Sequence, residues 1–351
     1  MNILELNFEK GWRGGERQTL YNMQGFKNVG ILPHLICRKG FPLEFQARKE
    51  GFTVYAFQSI FGVILFLITK GRKYNFLHAQ TSQILTYCVF TKIFHKAKII
   101  FTRRVNFIQK GGLTKLKYRF TDKIIAISNA IKSTLTQFSK RNDIDIISDI
   151  VIKKEANKAK AKEAIATINS NNRHIVSTTS ALTSEKDPFT MVDAIKKLAD
   201  KRNDFIFLHF GDGNLKKAII NKIEEYNLQD TYFLMGFVPD MEDFFSIFEV
   251  FVMASKEEGL GSSVLDAFIN KVPVVSTNAG GLKDLLQDER GIICEIGNST
   301  SIAEGIDSLL KNSEKKYHYI INAFNYVCQY HSMEYITDKY ITLMKKLYTA
   351  K

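Results

Sequence analysis

Glu258, Gly259, Gly261 and Asp266 stand close together in one stretch of the second half of the chain. A short apolar run at 250–253 predicts a strand, and a helix is expected to begin at about Ser262, so the two glycines fall on a strand-to-helix turn. Glycine lets a ligand approach the backbone closely, and a helix start offers unpaired N–H groups, so Gly259, Leu260, Gly261 and Ser262 can cradle a phosphate. Glu258 and Asp266 lie roughly two turns apart, which puts both carboxylates on one helical face if the helix begins early. There they could accept hydrogen bonds from sugar or ribose hydroxyls, or an acid could simply stabilise the helix dipole.

Two other loops carry weaker signals. Gly11, Arg13, Gly14 and Gly15 follow the first predicted strand, without a G-x-G-x-x-G fingerprint or the Gly-Lys-Ser/Thr of a P-loop. Lys186 precedes a helix expected to begin near Pro188 and Thr190, where a cation and free amides could share a phosphate. A solvated lysine is the plainer reading of that residue.

These loops need strands and helices to hold them. β-rich runs at 2–7, 34–38, 53–57, 75–79, 98–102, 123–127 and 145–151 alternate with helical stretches through the first half. Runs at 174–178, 205–210, 232–235, 250–253, 272–276 and 291–294 do so through the second. Such alternation predicts α/β architecture with parallel sheets, whose ligands bind beyond the carboxyl ends of the strands. Domains of 1–152 and 153–332 are expected, divided just before a charge-rich stretch at 153–162. A last helix, about 333–351, could return to the first.

Composition narrows the class. The chain of 351 residues is 45% hydrophobic and 24% charged, a globular balance. Its four cysteines lie far apart with no histidine at ligand spacing, which argues against zinc or a disulfide framework. The N-terminal run reads as a strand and not as a signal peptide. The apolar run at 60–68 is too short to span a bilayer; it is expected to be a helix packed on a sheet, with shallow membrane contact as the lesser reading. Residues 1–150 carry 24 Lys and Arg against 9 Asp and Glu, a net +15, while the remainder carries 25 against 27. The densest basic block runs from Lys92 through Lys110 to Lys123 and suits a polyanion or a merely solvated surface.

Ser255, Glu258, Gly259, Gly261, Asp266, then Pro273, Val274, Val275, Thr277, Gly280 and Gly281, stand in the order S-x-x-E-G-x-G … E/D … P-V-V-x-T … G-G. In this series the chain resembles the GT-B glycosyltransferases, specifically the large retaining group called family 4. Gly14-Gly15, Lys186, the Gly211–Gly213 turn and Gly236-Phe237 extend the likeness over essentially the whole chain.

The resemblance implies two Rossmann-like doubly wound domains facing across a cleft, the first for the acceptor and the second for the donor. It implies transfer of a hexose or N-acetylhexosamine from a nucleotide-diphosphate sugar, UDP-sugar favoured, to a glycan or lipid-linked acceptor in lipopolysaccharide or cell-surface polysaccharide assembly. Glu258, Lys186 and His78 would be catalytic, and Asp266 would hold the ribose. Lys186 with the amides of Gly259–Ser262 would hold the diphosphate, with Gly14 and Gly15 closing from the first domain. Gly211, Gly213, Phe237, Val238 and Pro239 would frame the base. No metal or other cofactor is expected, and Asp143 and Asp145 match a D-x-D pattern by chance. Two positions depart from the family pattern. Thr179 and Ser180 stand where an Arg is common, and Gln80 stands where a second His is. Arg13, Gln80, Arg103 and Arg104 are candidate acceptor or phosphate contacts. A cytoplasmic protein is implied, peripheral at the inner membrane face, with no nucleic-acid partner. A nucleotide-sugar 2-epimerase or a weakly active sugar-nucleotide-binding homologue are the alternatives.

Overall fold

The computed structural model describes residues 1–107, 112–168, 170, 172–238 and 241–349. Lys110, Pro239 and the last two residues of the 333–351 segment lie outside the described residues. The chain divides into two compact units, one of Met1–Ile150 with Tyr330–Lys351, the other of Val151–Gln329.

In the first unit the strands are β1 (Ile3–Asn7), β2 (His34–Arg38), β3 (Thr53–Phe57), β4 (Phe76–Ala79), β5 (Lys98–Arg103), β6 (Lys123–Ala126) and β7 (Asp145–Ile146). They form a parallel sheet in the order β3-β2-β1-β4-β5-β6-β7. The order reverses between β1 and β4, and a crevice opens at such a point beyond the strands' carboxyl ends. The helix Met333–Thr349 packs on the helix Gly14–Asn28, with Phe26 and Tyr340 edge to face at 6.1 Å.

In the second unit β8 (His174–Thr179), β9 (Phe205–Phe210), β10 (Tyr232–Gly236), β11 (Val250–Met253), β12 (Val274–Thr277) and β13 (Ile292–Cys294) pair in the order β10-β9-β8-β11-β12-β13. All the pairings are parallel, and the order reverses between β8 and β11. Strands covered on both faces read as continuous apolar runs, and β9 is buried at every position. Helices close the faces; Ser299–Lys311 turns Ile302, Ile306 and Leu309 inward, each worth roughly 2 kcal/mol of apolar burial.

Every expected strand forms, one of them much shortened, and the apolar run at 60–68 is the helix expected there. The run at 145–151 yields only the two residues of β7, because Gln18 captures the backbone beyond it: its amide donates to Ile150 O (2.7 Å) and its oxygen accepts from Ile150 N (2.8 Å). The apolar run becomes the helix Ile60–Lys70, which buries only Val63 and Leu67 and leaves Phe61 and Leu65 exposed.

Candidate active site

The carboxyl ends of β8 and β11 lie side by side, so the loops that follow them meet. Glu185 O accepts from the backbone N–H groups of Lys256 (2.9 Å) and Glu257 (3.1 Å), which welds the two loops together. Across that seam the Lys186 ammonium donates to the Glu258 carboxylate. Both side chains are mostly shielded from solvent, so the pair sits in a medium that strengthens it. Thr277 Oγ1 donates to Ser255 O (2.7 Å), tying the same loop to the end of β12.

The helix Ser262–Ile269 begins where sequence spacing placed it. Its first position is set by Gly261 at φ 99°, a left-handed conformation that favours glycine, and this residue has no side chain with which to cap the helix. Glu258 therefore lies in the loop and not on a shared helical face with Asp266, which is half-buried in the second turn. That expectation is corrected: the left-handed turn at Gly261 breaks the helical spacing. The expectation of open amides at the next helix, Pro188–Ala199, is corrected too. Asp187 caps it, accepting from Thr190 N (3.4 Å) and Thr190 Oγ1 (2.6 Å), and pairs with Lys256 at 3.1 Å. A carboxylate already holds that helix start, and Lys186 turns to Glu258 instead.

Ser180 follows β8 directly and contacts a buried histidine. His209 has Nε2 within 3.0 Å of Ser180 O and 3.2 Å of its Oγ, and Nδ1 within 2.7 Å of the Tyr232 hydroxyl. A neutral ring satisfies this set, with Nε2–H donating to the carbonyl and Nδ1 accepting from the phenol. Burial pulls its pKa down to about 4. His209 thus supplies no cation where the family pattern has an Arg. The unfolded chain binds the proton near pH 6.5 and the native state only near 4, so the associated stability is whole above about pH 6.5 and is lost as pH falls toward 4. Its full size is roughly 3 kcal/mol. Urea unfolding at pH 7 and pH 4.5 should show this loss in the wild type and a smaller one in His209→Gln.

Gly211 and Gly213 follow β9 and press against the Ser180 loop. A Cβ on Gly211 would stand 2.0 Å from Ser180 O, and one on Gly213 2.3 Å from Leu182 O. Gly211 N donates to Gly236 O (2.8 Å), and the next residue, Phe237, is 69% exposed at the end of β10, followed by the half-buried Val238. The second unit therefore gathers Ser180, Lys186, Gly211, Gly213, Phe237, Val238, Glu258, Gly259, Leu260, Gly261, Ser262 and Asp266 at one edge of its sheet.

The first unit gathers another set. Arg13 N donates to the buried Glu16 carboxylate (2.8 Å) at the start of the helix that Gly14 and Gly15 open. Burial pushes the Glu16 carboxyl up, against the opposing pull of that bond. Gly15 faces Arg104, which ion-pairs with Asp149 and donates to Gln80 Oε1 (3.1 Å). Gln80 Nε2 in turn donates to Glu5 (2.8 Å). His78 is fully buried, with Nδ1 2.8 Å from Glu5 and Nε2 2.8 Å from Thr102, itself 3.1 Å from the Tyr340 hydroxyl. Both ring nitrogens are taken, so His78 as it stands is a support for Gln80 and Glu5, not a group open to a substrate. Arg103 and Arg104 were expected to provide positive charge to a ligand. Arg104 is neutralised by Asp149, and buried Arg103 donates to the carbonyls of Val105 (3.0 Å) and Phe107.

Glu5, Thr102, Asp149, His209 and Tyr340 escaped the sequence reading. Glu5 and His209 carried a signal, each an ionisable residue flanked by apolar ones within a strand. Asp149, Thr102 and Tyr340 carried none, since only the fold brings them to their partners.

The two reversed parallel sheets define the GT-B fold. Residues 159–326 match the sequence model of the family described as Glycosyl transferases group 1. A 2-deoxystreptamine N-acetyl-D-glucosaminyltransferase of Niallia circulans is 34% identical over 133 residues, 36% of this chain and 34% of the relative. The lipopolysaccharide core biosynthesis glycosyltransferase LpsE of Rhizobium meliloti is 23% identical over 66% of each chain. The matches thus span from about a third to about two thirds of these relatives' lengths. In fold, the crystal structure of Anabaena Alr3699/HepE in complex with UDP superposes with a TM-score of 0.86 at 15% identity, covering 99% of this chain and 100% of the other.

Proposed function

We propose that the chain is a retaining hexosyltransferase that moves a hexose or N-acetylhexosamine from a UDP-sugar to a glycan or lipid-linked acceptor of a cell-surface polysaccharide or lipopolysaccharide. The observation that carries this reading is the Lys186–Glu258 pair, set at the sheet's reversal beside a helix start that Gly261 leaves without a side-chain cap. The names of the relatives, a UDP complex among them, support the donor class.

On this reading an entering diphosphate takes Lys186 from Glu258 and meets the amides of Gly259–Ser262. The released carboxylate then accepts hydrogen bonds from the donor's sugar hydroxyls, while Asp266 takes the ribose and Phe237 lies against the base. The acceptor attacks the anomeric carbon from the face that the phosphate leaves, so configuration is retained, and a departing phosphate oxygen takes the acceptor's proton. Lys186 and the fixed amides stabilise the charge that grows on that phosphate, and no metal ion has a part in the step. Ser180 replaces a cation here, so the leaving-group charge rests on Lys186 alone among the side chains assigned to it. Cytoplasmic work at the inner membrane face follows from a lipid-linked acceptor.

Incubation with a panel of UDP-, GDP- and dTDP-sugars, with and without a membrane extract, should release UDP from one donor class, faster with the extract. No release from any donor, together with no thermal shift by UDP or GDP, would sink the enzyme reading.

A further inference from the structure

In the first unit the helix Ser82–Phe90 packs against the helix Ile60–Lys70, the turn Lys92–Phe94 that follows it and the helix Gly112–Arg119. Arg72 Nε donates to Phe94 O (2.9 Å), and Lys92 Nζ donates to Phe120 O (2.8 Å), which fixes their ends side by side. Their outer surface carries several large apolar side chains. Phe61, Phe90 and Ile93 are 74%, 70% and 84% exposed, and Leu65, Phe94 and Phe120 add to them. Exposed apolar side chains so grouped mark a surface that something covers.

The charge around them says what. No Asp or Glu falls between Glu50 and Asp122, and Asp122 is held by Lys92 (2.8 Å) and by Ile99 N (2.8 Å). Lys70, Arg72, Lys73, Lys96 and Arg119 stand exposed along the same elements. Lys117, by contrast, is turned inward onto Ser82 Oγ (2.7 Å). Protruding Phe and Ile tips within a field of lysine and arginine suit the boundary between acyl chains and anionic headgroups. The helix Ile60–Lys70 has 11 residues, about 16 Å of length, too short to cross a bilayer and suited to lying in its surface. A second copy docked by a two-fold axis would set the same basic groups against each other with no acid between them.

We infer that this face docks the protein on an anionic lipid bilayer, with Phe90 and Ile93 entering the headgroup layer. It extends the reading above to the surface on which a lipid-linked acceptor would be met, and it is tested apart from any turnover. The wild-type protein should cosediment with phosphatidylcholine vesicles containing about one third phosphatidylglycerol and stay in solution with phosphatidylcholine alone. Phe90→Ser with Ile93→Ser, both at exposed positions, should lower partition on the order of tenfold at low and high salt. Lys73→Glu with Lys96→Glu should lower it mainly at low salt. UDP thermal shifts of both variants should match the wild type, so a missing UDP shift would count against the glycosyltransferase reading and leave docking standing. Three outcomes overturn the docking: wild type that ignores anionic vesicles, a Phe90/Ile93 variant that binds them equally, or a vesicle-free dimer that this variant dissolves. Displacement from vesicles by a short single-stranded oligonucleotide at equimolar charge would point to nucleic acid instead and equally overturn it.

Discussion

Glu258→Gln should lower turnover on the order of 10²- to 10³-fold while leaving UDP affinity within a few-fold of the wild type. The amide keeps the size of the carboxylate and one accepting oxygen, but not the charge. In the structure that charge is paired with Lys186. On the function proposed above, when a diphosphate takes the lysine, the carboxylate becomes an unbalanced anion beside the sugar, where positive character grows as the leaving group departs. Its effect is therefore larger in the transition state than in the ground state, which is the condition for a loss in kcat. Asp266→Asn should do the reverse, weakening UDP by about tenfold with kcat at saturation nearly kept, because the ribose contact proposed for it would be the same before and during the reaction. Steady-state kinetics paired with UDP calorimetry separates the two. Equal losses in both parameters from both variants would contradict the roles assigned.

Gly280→Ala should be the most damaging small substitution in the second unit. Its backbone lies at φ 53°, ψ −124°, outside the regions open to residues with a Cβ, and an added Cβ would meet Glu258 O at 1.9 Å. The neighbouring Gly281 N donates to that same carbonyl (3.2 Å), so the clash falls on the backbone that aims Glu258. A cost of roughly 3 kcal/mol or more is expected from strain and clash together. At 2–4 °C per kcal/mol for a unit of this size, the melting temperature drops by on the order of 10 °C, with turnover lost alongside. Gly297→Ala is the control: φ is 77° but nothing lies within 4 Å, and it should cost only about 1 kcal/mol and spare activity. A Gly280→Ala protein as stable and active as that control would show that the loop adapts.

Local pattern sufficed for the strands, because an apolar run between turn residues is readable within a few positions. It sufficed for the turn at Gly259–Ser262 for the same reason. Asp187 was also within reach, since an Asp directly before a helix-starting Pro is a cap signal. What the sequence did not disclose is pairing over distance. Nothing in the residues near Arg104 tells that Asp149 neutralises it, or near His78 that Glu5 and Thr102 occupy both nitrogens. The pairing of Arg104 and the occupied nitrogens of His78 come from the fold and not from neighbouring residues. Gln18 shortened β7 by the same kind of distant capture.

The first unit is completed by residues made after the second. Its sheet ends at β7, yet Tyr340, whose hydroxyl closes the chain of polar side chains through Thr102 and His78, arrives only after the whole second unit has been synthesised. At about 5–20 residues per second, the ribosome spends on the order of ten to forty seconds between Ile150 and the helix Met333–Thr349. Throughout that interval Phe26 and the buried face around it have no Tyr340 to cover them. The second unit can fold as it emerges, while the first must wait with part of its interior in water. That delay makes the nascent first half the natural client of a chaperone, and it makes loss of the last helix a lesion of the opposite end of the chain.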